Sequence, residues 1–385
     1  MKILYFIPME IKEYDGISKK ILSQLNSFVR NDFEIDICSE KTEDIFLNRI
    51  IYGKEIKLEK VKNNSICRQY LYYNFNKIFS YILNKKIEVI YIRYVYFANP
   101  FFIKFLKKLK ENNIKVILEI PTYPYDGELK NNKSFLRKIK YKIEEKYRYK
   151  MKNYVDRIVT FSIDDEIYGI KTIKINNGID LEKIKLIEKN KEKNLNEINF
   201  IGVAGIAFWH GFDRMILSMA KYYKNNPKVI VKFHVVGDGD KKVVTELKDL
   251  VKKNNLEEHV MFYGYKSGKD LDEIYNKVDI AVGSLGFSRI GLKGGSPLKT
   301  REYIAKGVPI ILGYEDISLK NTLDFIYQVP NDESVFDLYK ILDWYKNLDK
   351  DSTKIRRYAE DNLTWNKQMK KVVDYILEIE EKEKC

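Results

Sequence analysis

The sequence predicts an α/β protein made of two doubly wound, Rossmann-like halves. Three observations predict it. Short apolar runs alternate with longer amphipathic stretches along most of the chain. The alternation stops in the charged segment 182–196, which carries no strand signal, and then restarts. The 385 residues are 45% hydrophobic, which suits a globular chain with two cores of ordinary size.

In the first half, KILYFIP (2–8) reads as a buried first strand, followed by Gly16 and the amphipathic ISKKILSQLNSFV. FEIDIC (33–38), IEVIYIRYVY (87–96), IKVILEIP (114–121), DRIVTFS (156–162) and KTIKINNGID (171–180) read as further strands or strand ends. Helical patterns fill the 100–113 and 133–153 intervals. In the second half, INFIGVAG (198–205), VIVKFHVVGDG (229–239), VMFYGY (260–265), VDIAVGSL (278–285) and VPIILG (308–313) alternate with helical stretches at 211–224, 241–254 and 268–276. The expected domains are 1–190 and 195–365. Ligands of such sheets bind beyond the carboxyl ends of the strands, so a cleft between the halves is the expected site.

The formal net charge is +14. It is compatible with an acidic partner or with a lysine-rich solvated surface. Cys38, Cys67 and Cys385 are scattered and show no disulfide or zinc spacing. No run of apolar residues is long enough to span a bilayer. The expected location is the cytoplasm, with a peripheral contact at the inner face of the cell membrane as an option.

Four clusters carry candidate chemistry. In GGSPLKTREYIAKGVP (294–309), Ser296 is a predicted N-cap and Pro297 a predicted first helical residue, and Gly294 and Gly295 permit close approach. Free amides with Lys299 would form an anion site, and spacing puts Lys299, Glu302 and Tyr303 on one face. An ordinary surface helix with Lys299 paired to Glu302 fits the stretch equally well. GIAFWHGFDR (205–214) places Gly205, Trp209, His210 and Arg214 after a strand. The alternative there is a tryptophan packed under the loop beside a solvent-facing histidine. EIPTYPYDGE (119–128) offers the rings of Tyr123 and Tyr125 and the carboxylates of Glu119, Asp126 and Glu128 to a sugar, or it is a structural Pro/Tyr loop. EYDGISKKI (13–21) has one glycine, Gly16, before a helix.

Taken in order, these segments resemble the family 4 glycosyltransferases, retaining nucleotide-sugar enzymes of the GT-B fold. DGISKKI is similar to their N-terminal glycine loop. TIKINNGID, FHVVGDGD, and VDIAVGSL followed by GGSPLKTREYIAKGVPII resemble their NGVD segment, VGDG turn and donor-binding loop and helix. LTW (363–365) resembles the point where a C-terminal helix, here 366–385, returns to the first domain. The resemblance implies sugar transfer from a nucleotide-sugar donor to a hydroxyl of a glycan or lipid-linked saccharide, in bacterial surface polysaccharide synthesis, without a metal. It implies donor contacts from Gly16, Gly205, Trp209, Arg214, Gly294, Gly295, Ser296, Pro297, Leu298, Lys299 and Glu302. Catalytic roles fall to Lys299, His210 and Glu302, with Glu119, Tyr123, Tyr125 and Asp126 on the acceptor side.

There are departures. Glu302 matches the second glutamate of the family's Glu-x7-Glu, but Gly294 stands at the first. The family's Arg and Lys after the first C-domain strand are replaced by Gly205 and His210. Cations for the diphosphate must then come from Lys299, Arg214, Arg289, Lys293 or Arg301. The basic pattern KSFLRKIKYKIEEKYRYKMK (133–152) suits an anionic membrane or a solvated helix. Four other classes compete. A metal-dependent GT-A transferase is suggested by DGD (238–240), which mimics a DxD signature but sits in a VGDGD turn after a strand of the second half. An NAD-dependent nucleotide-sugar-modifying enzyme needs a GxGxxG that the first loop lacks. A nucleic-acid binder has no motif here. A non-catalytic glycosyltransferase-like partner subunit is motivated by Gly294.

Overall fold

In a computed structural model, residues 1–12, 16–54, 56–125, 135–188, 196–319 and 322–384 are described. The chain divides into two compact units: unit 1 is Met1–Asn176 with Trp365–Cys385, and unit 2 is Asn177–Thr364. The sequence put the boundary in the charged segment 182–196. The structure moves it upstream, because Ile179 bridges Thr364 and the Asn177 side chain donates to the Ser296 carbonyl at 2.9 Å, both within unit 2.

Unit 1 holds a nine-stranded sheet, order β4-β3-β2-β1-β5-β6-β7-β9-β8 among the described residues. Its strands are β1 (Lys2–Glu10), β2 (Glu34–Glu43), β3 (Phe46–Ile51), β4 (Ile56–Lys62), β5 (Val89–Arg93), β6 (Lys115–Ile120), β7 (Arg157–Thr160), β8 (Glu166–Ile167) and β9 (Ile170–Lys174). The central strands pair in parallel, and β1, β5 and β6 are buried on both faces, as their continuous apolar runs require. The β2–β3–β4 meander is antiparallel, and the apolar pattern does not predict its last two strands. The reason is local: Asn48 and Arg49 are buried mid-strand, and Arg49 is neutralised by Glu59 at 2.7 Å. Asn99 opens the helix Pro100–Glu111, accepting from the Phe101 and Phe102 amides at 2.9 and 3.0 Å. The C-terminal helix Trp365–Lys384 closes the other face of unit 1, where Met369, Val372, Val373 and Ile376 join the core under β1.

Unit 2 holds a six-stranded, all-parallel sheet, order β12-β11-β10-β13-β15-β17. These strands are β10 (Glu197–Val203), β11 (Ile230–Val236), β12 (Val260–Phe262), β13 (Ile280–Val282), β15 (Ile310–Leu312) and β17 (Ile326–Gln328). A two-residue ribbon pairs β14 (Gly294–Gly295) with β16 (Glu315–Asp316). Strand order reverses beside β10, at the junction with β13. That is the topological switch point at which such sheets open a crevice.

Candidate functional site

The helix Leu298–Ala305 starts beside the carboxyl ends of β10 and β13. Three buried contacts seat it. The Tyr303 hydroxyl accepts from the Val203 amide at 2.9 Å and lies 3.4 Å from the Val282 carbonyl. Thr300 Oγ1 meets the Tyr314 hydroxyl at 2.6 Å. The Arg301 guanidinium forks onto Asp316, with Nη2 to Oδ1 at 2.7 Å, and also donates to the Pro297 carbonyl at 3.1 Å.

Two sequence expectations are corrected at this helix start. Pro297, in extended backbone, occupies the cap position, and Ser296 precedes it, so neither is where the pattern put it. No side chain caps the helix, and its first amides have no intrahelical acceptor. Ser296 Oγ and Lys299 Nζ are both buried without a hydrogen-bond partner. The pairing of Lys299 with Glu302 therefore fails. The three residues expected on one face also divide: Tyr303 is buried, Glu302 exposed, and Lys299 buries its ammonium 5.8 Å from the Phe212 ring centre. Burial alone pushes Lys299 down to about 7 from its ordinary 10.5.

The loop after β10 forms the other wall. His210 Nδ1 accepts from the Ala207 amide at 3.0 Å, which leaves the proton on Nε2. Burial, aided by the Lys299 charge, pushes its pKa down to about 3. The imidazole is a neutral Nε2–H donor at physiological pH. Trp209 packs partly buried against the unit 2 core, as the structural alternative required, whereas Phe208 is exposed. Gly205 is exposed, and a side chain there would meet only the Asp238 carbonyl, at 3.9 Å.

The loop is clamped from behind by the turn after β11. Gly237 has φ +124°, and a Cβ there would lie 1.8 Å from the Ala204 carbonyl oxygen. The Ile206 amide donates to the Asp238 carbonyl at 2.9 Å, and Asp240 caps the helix Lys241–Lys253. The acidic DGD triplet is thus a turn and a helix cap. Gly237→Ala is expected to destabilise by about 2–4 kcal/mol, since both backbone conformation and space forbid a side chain; urea unfolding checks it.

Other expected cations are already engaged. Arg214 is buried, with its guanidinium on the carbonyls of Leu285, Pro330 and Ser334 and on Asp332. Arg289 is clasped by Asp213 at 2.7 and 2.9 Å and by Glu333 at 2.6 Å. Arg301 belongs to Asp316. The guanidinium groups of all three are engaged by partners within unit 2. Lys293 is exposed and lines a cavity of about 700 Å³ with Glu315, Gln328 and Asn331. Gly294 is held by the ribbon: a Cβ would lie 2.7 Å from the Glu315 carbonyl oxygen. Asn177, which tethers the Ser296 carbonyl, was not among the expected residues; the NGVD-like segment that contains it was the available signal.

In unit 1, Gly16 begins the helix Gly16–Val29 and is exposed, with nothing within 4 Å of a Cβ. Glu119 is fully buried and accepts from Tyr91 Oη at 2.8 Å, Gln24 Nε2 at 3.1 Å, Tyr5 Oη at 3.3 Å and the Arg93 guanidinium. Tyr125 is buried and donates to Glu144 at 2.6 Å. Neither residue offers an open surface to a sugar, so both acceptor expectations are corrected. Tyr123 is partly buried, edge-on to Tyr168 at 5.7 Å. Asp126 and Glu128 lie outside the described residues. Lys20, one turn into the first helix, was not expected as a site residue. Its ammonium lies 3.3 Å above the Phe161 ring centre, and burial pushes it down to about 7 against the pull of Glu119.

Residues 183–345 match the family model of the glycosyl transferases group 1. The matched residues all lie within unit 2. The solved structures similar to the whole chain show the same GT-B fold. One is a glycosyltransferase from Rickettsia africae ESF-5, with TM-score 0.64, 16% identity and 98% of each chain covered. Another is the Anabaena protein HepE in complex with UDP, with TM-score 0.61, 12% identity, and 98% of this chain and 100% of that one covered. A third is a sucrose-phosphate synthase from Thermosynechococcus elongatus, with TM-score 0.60, 15% identity, and 98% and 99% covered. No curated protein sequence matches the chain. Within unit 2, Lys299 and His210 approach the Phe212 ring from the helix start and the β10 loop, each 5.8 Å from its centre, close enough for the Lys299 charge to act on the imidazole.

Proposed function

We propose that the chain is a retaining glycosyltransferase that moves a sugar from a nucleotide-sugar to a hydroxyl of a glycan or lipid-linked saccharide. The observation that carries this is the buried, unpartnered Lys299 ammonium at an uncapped helix start, beside the unpartnered Ser296 hydroxyl. Burying such groups without a partner is costly, and a diphosphate satisfies all of them together. That HepE was solved with UDP and with UDP-glucose supports a nucleotide-sugar as the ligand.

In the proposed reaction the bond between the anomeric carbon and the diphosphate oxygen breaks, and its electron pair leaves with the diphosphate. Lys299, the amides of the first helical turn and His210 Nε2–H stabilise that charge. The acceptor hydroxyl attacks on the face the diphosphate leaves, and its proton passes to a diphosphate oxygen. Glu302 is proposed to hold the ribose diol. Charge neutralisation comes from the chain, so turnover is expected to persist in EDTA. A thermal-shift screen against UDP, GDP, ADP and dTDP sugars tests the assignment. No stabilisation and no transfer or hydrolysis with any of them would sink it, and would favour the non-catalytic subunit that Gly294 motivates.

The pH dependence has a definite sign. Below about 7, Lys299 is already charged and receives the diphosphate directly. Above that, binding takes up a proton, so the Kd of a bound nucleotide-sugar is expected to rise by up to roughly tenfold per pH unit. The free protein behaves oppositely: unfolded lysine keeps its proton to about 10.5, so the cost of burying Lys299 is full below about 7 and is relieved as pH rises. Calorimetry from pH 6.5 to 9 reads the first effect.

Cytoplasmic location with peripheral contact to an anionic membrane completes the reading. Among the described residues no helix is long and apolar enough to cross a membrane. The helix Phe135–Tyr147 buries Glu144 and turns Lys138, Lys142 and Lys146 outward. Flotation with liposomes containing phosphatidylglycerol is expected, and neutral liposomes should not float the protein.

A further inference from the structure

At the opposite end of the unit 2 sheet lies a cavity of about 720 Å³. It opens beside Ile198 near the amino end of β10, about 17 Å along the strand from Val203 and the donor site. Two segments build most of it: the turn 225–229 and one face of the helix Leu338–Asn347 with the loop after it.

Its lining combines rings and cations. Tyr222 and Tyr345 are nearly fully buried and form the floor. Their hydroxyls are spent internally, on the Val229 carbonyl at 2.9 Å and on Asp279 at 2.7 Å. Tyr339 leans on Tyr222 at 4.8 Å and 50° and is 46% exposed, so it presents one open ring face. Around these stand exposed Lys228, Lys346 and Lys350, against a single lining carboxylate, Asp343. The exposed Asn225 and Asn226 supply amide groups at the mouth.

We propose that this cavity is a second saccharide site that takes an acidic oligosaccharide, about two or three sugar units long, of the acceptor or product chain. One open ring face suits the C–H face of a pyranose, whereas tilted neighbours leave no parallel slot for a planar base. Exposed Lys228 and Lys346 supply partners for a carboxylate on the sugar, whereas Lys350 is placed over the Tyr345 ring, 4.8 Å from its centre. The choice of a saccharide rests on the glycosyl-transfer reading; the charge and ring geometry stand apart from it. Such a site holds the chain away from the chemistry and raises the local concentration of its reacting end.

The test is titration calorimetry of the full chain with tetragalacturonate, with maltotetraose as the neutral control. Tetragalacturonate is expected to bind, and to bind about tenfold more weakly after Tyr339→Ala or the double change Lys228→Glu with Lys346→Glu. Thermal shifts by nucleotide-sugars should be unaltered in both variants. The site is overturned by no heat with tetragalacturonate in protein that still responds to a nucleotide-sugar. Equal affinity for maltotetraose, displacement by equimolar UMP or inorganic phosphate, or binding indifferent to both variants also overturns it. Tetragalacturonate binding without any nucleotide-sugar response keeps the site and removes the transfer reading.

Discussion

Lys299→Met is expected to lower kcat/KM by roughly 10²–10³ while leaving the folded protein as stable as before or slightly more so. The two halves of this result come from one fact. The Lys299 ammonium is buried with no acceptor, so the free protein carries an uncompensated desolvation cost. Methionine fills the same volume without that cost. In the proposed transition state the ammonium faces the departing diphosphate, and the substitution would remove that interaction where the charge is greatest. Steady-state kinetics and a thermal melt on the same preparation separate the outcomes. Full activity would remove Lys299 from the chemistry, and a large loss of melting temperature would make it structural.

Asp316→Ala is expected to destabilise unit 2 by about 3–5 kcal/mol. It strands the Arg301 guanidinium, which is fully buried and whose Nε already lacks a partner. The loss should appear as a lower urea midpoint, and a double change of Arg301→Met with Asp316→Leu should recover much of it, because a well-packed apolar pair tolerates the interior. Catalytic loss in that double variant would be modest if the helix start keeps its place. Asp316 also holds Ser318, through the amide at 3.1 Å and the hydroxyl at 2.8 Å, so part of the effect runs through that turn.

The two-half α/β architecture was legible, because parallel strands buried on both faces leave continuous apolar runs. The helix Leu298–Ala305 was legible too, to within a residue of its start, because a proline after small residues marks where a helix begins. Which cations stay available was not. Arg214, Arg289 and Arg301 look alike in sequence, and their partners lie 118, 76 and 15 residues away. Glu119 read as a strand-end carboxylate and is instead consumed by Tyr5, Gln24, Tyr91 and Arg93, which three separate segments bring to it. Polar groups brought together by tertiary pairing leave no periodicity. The strand β3 was hidden for the same reason: buried Asn48 and Arg49 break the apolar pattern.

The tight ribbon at Gly294 has a consequence for how this site can change. Every glycine codon is one base away from a glutamate or an aspartate codon, so a carboxylate at position 294 is a single mutational step away. The Glu315 carbonyl oxygen, 2.7 Å from where its Cβ would sit, makes that step unproductive by itself. The β16 backbone must first be re-routed, and that backbone carries the Asp316 on which Arg301 depends. A glutamate at position 294 therefore requires at least two coordinated changes, one of them in the support of the helix Leu298–Ala305, and single-residue variation is expected to leave the glycine in place.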